Sequence, residues 1–193
     1  MTLLRLASAS PRRSALLRQL GVAHDVAAAD VDETPSPAER PEALVVRLAK
    51  LKAEQGARDA GRPALGADTI VSIDGRILGK PRDAADGMAM LELLSGRDHR
   101  VLSGVALAWN GKVRTALSAS TVRFRVLTVD EISNYWASSE PHDKAGAYAV
   151  QGLAARFIAR LEGSYSGVMG LPLFETATLL EEAGLLPPLG AAP

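Results

Sequence analysis

The residue most in need of a chemical explanation is Asp68, a carboxylate in the middle of the apolar run Leu65-Gly66-Ala67-Asp68-Thr69-Ile70-Val71. An aspartate there carries a desolvation cost unless it is paired, bound to metal or set at a pocket edge. The alternative is an outward-facing side chain on an exposed strand. Gly66 permits close backbone approach beside it. A second candidate is the loop holding Ser8, Ser10, Arg12 and Arg13. Two arginines in the first turn of a helix suit an anion, because backbone N–H groups and the helix dipole attract phosphate and arginine grips two oxygens at once. Without an anion, those cations oppose the dipole and would read as solvated side chains.

Three further segments carry polar groups in defined settings. Lys80 lies in Leu78-Gly79-Lys80-Pro81-Arg82-Asp83, where glycine and proline fix a tight loop that aims the ammonium. The spacing is not that of a Walker A loop, and a plain surface turn fits equally. Asp32-Glu33 sits in an acidic loop and could supply magnesium ligands, directly or through water, or simply be solvated. Asp143 to Gly152, DKAGAYAVQG, is rich in small residues, and Gln151 within it offers both a donor and an acceptor. A tightly packed turn accounts for that segment too.

Other chemistries find little footing. His24, His99 and His142 are scattered without metal spacing and read as surface or capping residues. The chain has no cysteine, which excludes disulfides, thiolate zinc sites and cysteine nucleophiles. There is no Gly-x-Ser-x-Gly elbow, no Gly-x-Gly-x-x-Gly and no His-Glu-x-x-His. Lys plus Arg and Asp plus Glu are both 22, so no global field would hold the protein on DNA or an anionic membrane. Aromatic residues are 4%, too few for base-stacking platforms.

The elements that must position these residues can be read from the pattern. A strand at 3–8 runs into Ser10-Pro11, a good N-cap and N1 pair, and Leu16, Leu17 and Leu20 give a helical face that Gly21 stops. The acid-free start with four arginines superficially suits a transit peptide, but it reads as the first βα unit of a fold. A short strand over 22–28 and a loop over 30–41 come next. Pro41-Glu42 then opens a helix running to Gly61. Residues 64–73 form a buried strand, and Asp74-Gly75 turns it into a short return strand at 76–78. A helix over 84–94 precedes strands at 98–109 and 112–126, joined by Asn110-Gly111, a strong hairpin signal. A helix over 128–137, a strand over 156–161 and a helix over 171–183 complete the set.

The 193 residues favour one domain, expected over 1–186, with a tail at 187–193 that frays. At this size a fold buries roughly 70% of its unfolded surface. No apolar run approaches the roughly 20 residues a membrane helix needs, and a cytoplasmic location is expected. The order of elements argues for an α/β or α+β sandwich.

In combination, four segments resemble the Maf family of nucleoside triphosphate pyrophosphatases: LASASPRRSALLRQLG, LGADTIVSIDGRILGKPRD, DKAGAYAVQG and GSYSGVMGLPL. The resemblance runs from about residue 3 to 184. It implies an α/β fold, similar to inosine triphosphatase, with a twisted mixed sheet flanked by helices and two lobes around a deep cleft. It implies hydrolysis of a nucleoside triphosphate to the monophosphate and pyrophosphate, with a divalent cation, Mg or Mn. Gly66-Ala67-Asp68-Thr69 and Gln151-Gly152 resemble the branch acting on dTTP and UTP. By resemblance Asp68 is the catalytic acid–base residue, and Glu33 is a second acidic group at the metal with it. Arg12, Arg13, Lys52 and Lys80 become the phosphate clamp, with Ser8 nearby, and Thr69 and Gln151 become specificity residues. Gly167 departs from the family pattern, in which larger residues are common, and is expected to affect local rigidity. A homodimer is plausible by resemblance alone. The family name also carries a second role, inhibition of septum formation by protein binding.

Overall fold

The structure, a computed structural model, describes residues 3–189. Its elements are β1 (Leu4–Leu6), α1 (Pro11–Gln19), β2 (His24–Val26), α2 (Pro41–Ala60), β3 (Ala64–Ile73), β4 (Arg76–Leu78) and α3 (Ala84–Leu94). There follow β5 (Asp98–Trp109), β6 (Lys112–Phe124), α4 (Val129–Ala137), β7 (Ile158–Glu162), α5 (Tyr165–Met169) and α6 (Leu173–Glu182). Three 3-10 turns, Glu140–Asp143, Ala145–Ala147 and Leu153–Arg156, fill the stretch between α4 and β7.

The local signals act as their chemistry dictates. Ser10 caps α1, its hydroxyl accepting from Arg13 N, with Pro11 at the first helical position. Thr128 and Glu131 close a reciprocal capping box on α4. Asn110 and Gly111 both take positive φ between β5 and β6, as a tight hairpin turn requires.

Several boundaries differ from the sequence expectation. The strand expected over 22–28 is cut to His24–Val26 because its partner β1 is itself three residues long. The strand expected over 156–161 begins at Ile158, since Leu153–Arg156 is wound into a 3-10 turn. The second hairpin strand ends at Phe124, where pairing with β7 shifts register. The last helix starts at Leu173, after Pro172, and α5 ahead of it has no counterpart in the sequence reading. Residues 187–189 of the expected fraying tail carry no helix or strand, and 190–193 lie outside the described residues. No helix among the described residues is long and apolar enough to cross a membrane.

The seven strands form one mixed sheet in the order β2-β1-β3-β5-β6-β7, with β4 also on β3. β2, β1 and β3 are parallel, and the rest are antiparallel. One edge of β3 pairs with β5 from Ala64 to Ser72. Its other edge pairs with β1 only at Ala64 and Leu65, and with β4 only from Val71 to Ile73. Residues 66–70 are therefore bare on that side, and Asp68 lies at the centre of the gap. The sheet splits there, and the loops that leave β1 and β4 flank the opening.

The two faces of β3 do different work, because successive side chains alternate. On one face two apolar clusters lie end to end. Leu65 and Ala67 join β1, α1 and α6 in one cluster, whereas Val71 and Ile73 join α3, α4 and Phe124 in the other. Thr69 falls between them, opposite Ser103 on β5. This polar pair marks the seam between the two lobes. On the other face α2 lies hard against the sheet over small residues: Ala49 and Ala53 pack with Ala106 and Ala108. Gly66 makes that approach possible, since a Cβ there would stand 2.3 Å from the Ala49 carbonyl oxygen and 2.4 Å from Ala53 N.

Candidate active site

The gap in the sheet opens into a cleft of about 750 Å³. Ser8, Arg12, Arg13, Glu33, Lys52, Asp68, Thr69, Lys80 and Gln151 all line it. The nine site candidates named from the sequence thus meet in one place, although they come from six separate segments.

Asp68 and Lys52 form the floor. Both are buried. Lys52 Nζ donates to Asp68 Oδ1 at 2.7 Å and lies 2.6 Å from Glu33 Oε1. Lys52 reaches this point because α2 sits so close to β3 at Gly66. A buried charge is tolerable when it is paired, and here one ammonium joins two carboxylates. Asp68 and Lys52 are largely buried at the base of the cleft, whereas Glu33 is exposed on the loop before α2.

Arg13 forms one wall and has no carboxylate partner among the described residues. Its Nε donates to the Gly170 carbonyl at 2.8 Å, Nη1 to Ser8 Oγ at 3.2 Å and Nη2 to Thr69 Oγ1 at 3.4 Å. All three acceptors are neutral. Burial pushes the guanidinium below its usual range, with Asp68 as the main opposing influence. A cation so placed at a helix N-terminus has nothing local to neutralise it, and an anion in the cleft would. Thr69 is tied into the seam, its hydroxyl sharing a hydrogen bond with Ser103 Oγ at 2.8 Å. Ser103 Oγ in turn donates to the Gly167 carbonyl at 2.7 Å, so α5 is stitched to the sheet at Gly167.

Arg12 and Lys80 enter no ion pair among the described residues, and Lys80 stands exposed on the loop after β4. Gln151 is exposed on the far rim. Sequence reasoning passed over Lys144, which lines the same cleft and pairs with Asp143. Its signal was present, since it lies in the DKAGAYAVQG segment. There the glutamine and glycines are the more conspicuous chemistry, and a lone lysine carries no mark of its own. Tyr148 also reaches the cleft, with its hydroxyl bound to His99 Nε2 at 2.8 Å.

His99 corrects an expectation. It is not a surface or capping residue but a core one, 2% exposed and edge-on to Phe124 at 5.1 Å and Tyr148 at 5.4 Å. It sits on β5, whose inward positions all go to the core, and a single residue gives no periodicity by which to see that. His24 is part-buried and bonds Ser14 and the Val22 carbonyl, while His142 is exposed against Trp136.

A split mixed sheet, a buried carboxylate–lysine pair and, in Arg12, Arg13 and Lys80, cations with no carboxylate partner among the described residues together define an α/β protein built to take a polyanion against a carboxylate. The chain belongs to the Maf family: the family model described as "Maf-like protein" matches residues 3–183. It is 51% identical to a dTTP/UTP pyrophosphatase of Nitrosomonas europaea over 194 residues, covering 93% of this chain and 94% of that protein. It is 53% identical to a dTTP/UTP pyrophosphatase of Aromatoleum aromaticum, with the same two coverages, 93% and 94%. Among solved structures, a HAM1 protein from Coxiella burnetii superposes with a TM-score of 0.54 at 21% identity. That match covers 94% of this chain and 100% of the other, which shows a shared fold.

Proposed function

We propose that this protein hydrolyses dTTP and UTP to the nucleoside monophosphate and pyrophosphate. The observation that carries the reading is the placement of Arg12, Arg13 and Lys80 around a floor where Lys52 binds Asp68 and Glu33. The names of the relatives at 50–53% identity supply the substrate class.

Phosphoryl transfer asks a protein mainly for position and charge. Arg12 and Lys80 have free donors to bind the triphosphate, and Arg13, fixed by Gly170 and Ser8, offers a pre-set positive wall. Asp68 orients the attacking water and accepts its proton, so that the water oxygen bonds to the α-phosphorus and pyrophosphate leaves. Lys52 holds Asp68 in place for that role. Gln151 presents a carbonyl and an amide to the base. Uracil and thymine each offer an N3–H beside carbonyl oxygens, which a glutamine amide complements.

The donor set fits a divalent cation only in company with substrate. Among the described residues no group of three or more His, Cys, Asp or Glu side chains could hold a metal. Of the carboxylates that line the cleft, Asp143 is paired with Lys144, which leaves Glu33 and Asp68. A hard cation such as Mg keeps several waters and takes one or two carboxylates plus phosphate oxygens. Glu33 and Asp68 would hold Mg or Mn on those terms, and the bound ion would neutralise charge on the phosphate oxygens.

A panel of nucleoside triphosphates, each assayed for pyrophosphate and orthophosphate with and without Mg, tests the reading. Pyrophosphate from dTTP and UTP well ahead of GTP and ATP is the expected result. Orthophosphate as first product would overturn it.

A further inference from the structure

Gln151 is exposed and makes no side-chain hydrogen bond among the described residues, so the fold positions it only through its backbone. That backbone is a four-residue turn in which Gly152 N donates to the Ala149 carbonyl at 3.1 Å, with Gln151 at the third position. Two side chains grip the turn from behind. At its first residue, Ala149 N donates to Tyr135 Oη at 3.2 Å. After it, Leu153 N donates to Glu140 Oε2 at 2.9 Å and Ala154 N to Glu140 Oε1 at 3.3 Å. Tyr135 Oη closes the bracket by donating to Glu140 Oε1 at 2.7 Å.

Neither residue lines the cleft. Tyr135 is buried on α4, edge-on to Phe157 at 5.1 Å, so the bracket is anchored in the core of one lobe. Gly152 leaves room for it: a Cβ there would stand 2.0 Å from Glu140 Oε2. That carboxylate cannot swing aside without releasing its three donors.

We propose that the Tyr135–Glu140 pair is a specificity-positioning device, which sets base discrimination by fixing the Gln151 turn without touching the nucleotide. The inference rests on the reading of the cleft as a pyrimidine nucleoside triphosphate site. A small displacement of a reading group is enough to lose selectivity, because the base edge is matched donor to acceptor.

Glu140→Gln replaces one acceptor oxygen with a donor, which faces the Tyr135 hydroxyl or the Leu153 amide and breaks one side of the bracket. The measurement is kcat and KM for pyrophosphate release from UTP and from CTP, which differ only at the edge Gln151 would read. Glu140→Gln is expected to raise KM for UTP about tenfold, leave kcat within about twofold, and lower the UTP-to-CTP ratio of kcat/KM about tenfold. Gly152→Ala, which keeps both bracket residues unsubstituted but displaces the Glu140 carboxylate, shifts the ratio the same way. It serves if Glu140→Gln does not fold. In a Gln151→Ala background, Glu140→Gln lowers the ratio no further. An unchanged ratio, or a parallel fall of kcat on both nucleotides, would overturn the inference. So would a further fall in the Gln151→Ala background. Wild-type protein that releases no pyrophosphate from UTP would overturn the proposed function, and this inference with it. Active wild type with an unaltered Glu140→Gln overturns the inference alone.

Discussion

Lys52 stands between two carboxylates, and the three groups have unequal exposure. Asp68 is buried on β3 at the base of the cleft, whereas Glu33 lies open on a loop. The buried carboxylate is the one fixed well enough to hold a water, and the open one is free to follow a bound cation. Asp68→Asn keeps the acceptor for Lys52 but cannot take a proton. It is expected to lower kcat about 100-fold or more, while nucleotide affinity measured by equilibrium titration stays within a few-fold. Turnover near that of wild type would remove Asp68 from the role of base. Asp68 was legible in the sequence because a carboxylate in an apolar strand is an anomaly in itself. Arg12 and Arg13 were legible as cations where a helix dipole disfavours them. Lys52 was not, since a lysine inside an amphipathic helix has no local mark of burial. It entered through family resemblance alone.

Among the elements, the join of α2 to β3 decides whether the floor of the cleft exists. Lys52 reaches Asp68 only because glycine at position 66 lets the helix backbone touch the strand. Gly66→Ala forces the two apart against backbone atoms, which have no rotamer to escape into. A cost of about 1–3 kcal/mol is expected in urea unfolding, with a fall in kcat from the lengthened Lys52–Asp68 contact. Unaltered stability together with unaltered kcat would mean that helix and strand are not so closely pressed. Helices and long strands were legible because capping residues, Asn110-Gly111 and regular apolar spacing each carry a local cause. The segment from Glu140 to Arg156 was not. Its 3-10 turns depend on the Tyr135–Glu140 bracket and on Gly146 at positive φ, contacts that no local pattern encodes. α5 escaped for a similar reason, since five residues tied to Ser103 and Ser164 make no periodic signal.

At the scale of the whole molecule, two lobes with separate apolar clusters share one sheet, and the cleft is the break between them. The sequence showed the strands but not the break, because an unpaired stretch of β3 edge is a property of its neighbours. His99 packs edge-on against Phe124 and Tyr148 of the larger cluster, and its burial depresses its pKa from 6.5 to about 4, with Asp98 opposing weakly. The unfolded chain therefore binds this proton more tightly than the folded one. Stability is fully present above about pH 6.5 and falls as pH drops toward 4, by about 3 kcal/mol in all. Urea midpoints across that range should show the slope, and His99→Gln, which does not titrate, should flatten it. An identical slope in the variant would assign the effect to other groups. The central claim is that water held at Asp68 attacks the α-phosphorus of a triphosphate gripped by the surrounding cations. Hydrolysis of dTTP in water enriched with heavy oxygen tests this most directly, read by mass spectrometry of both products. The account predicts the label in the nucleoside monophosphate and none in pyrophosphate. Label in pyrophosphate, or in orthophosphate released alongside a diphosphate, would contradict it.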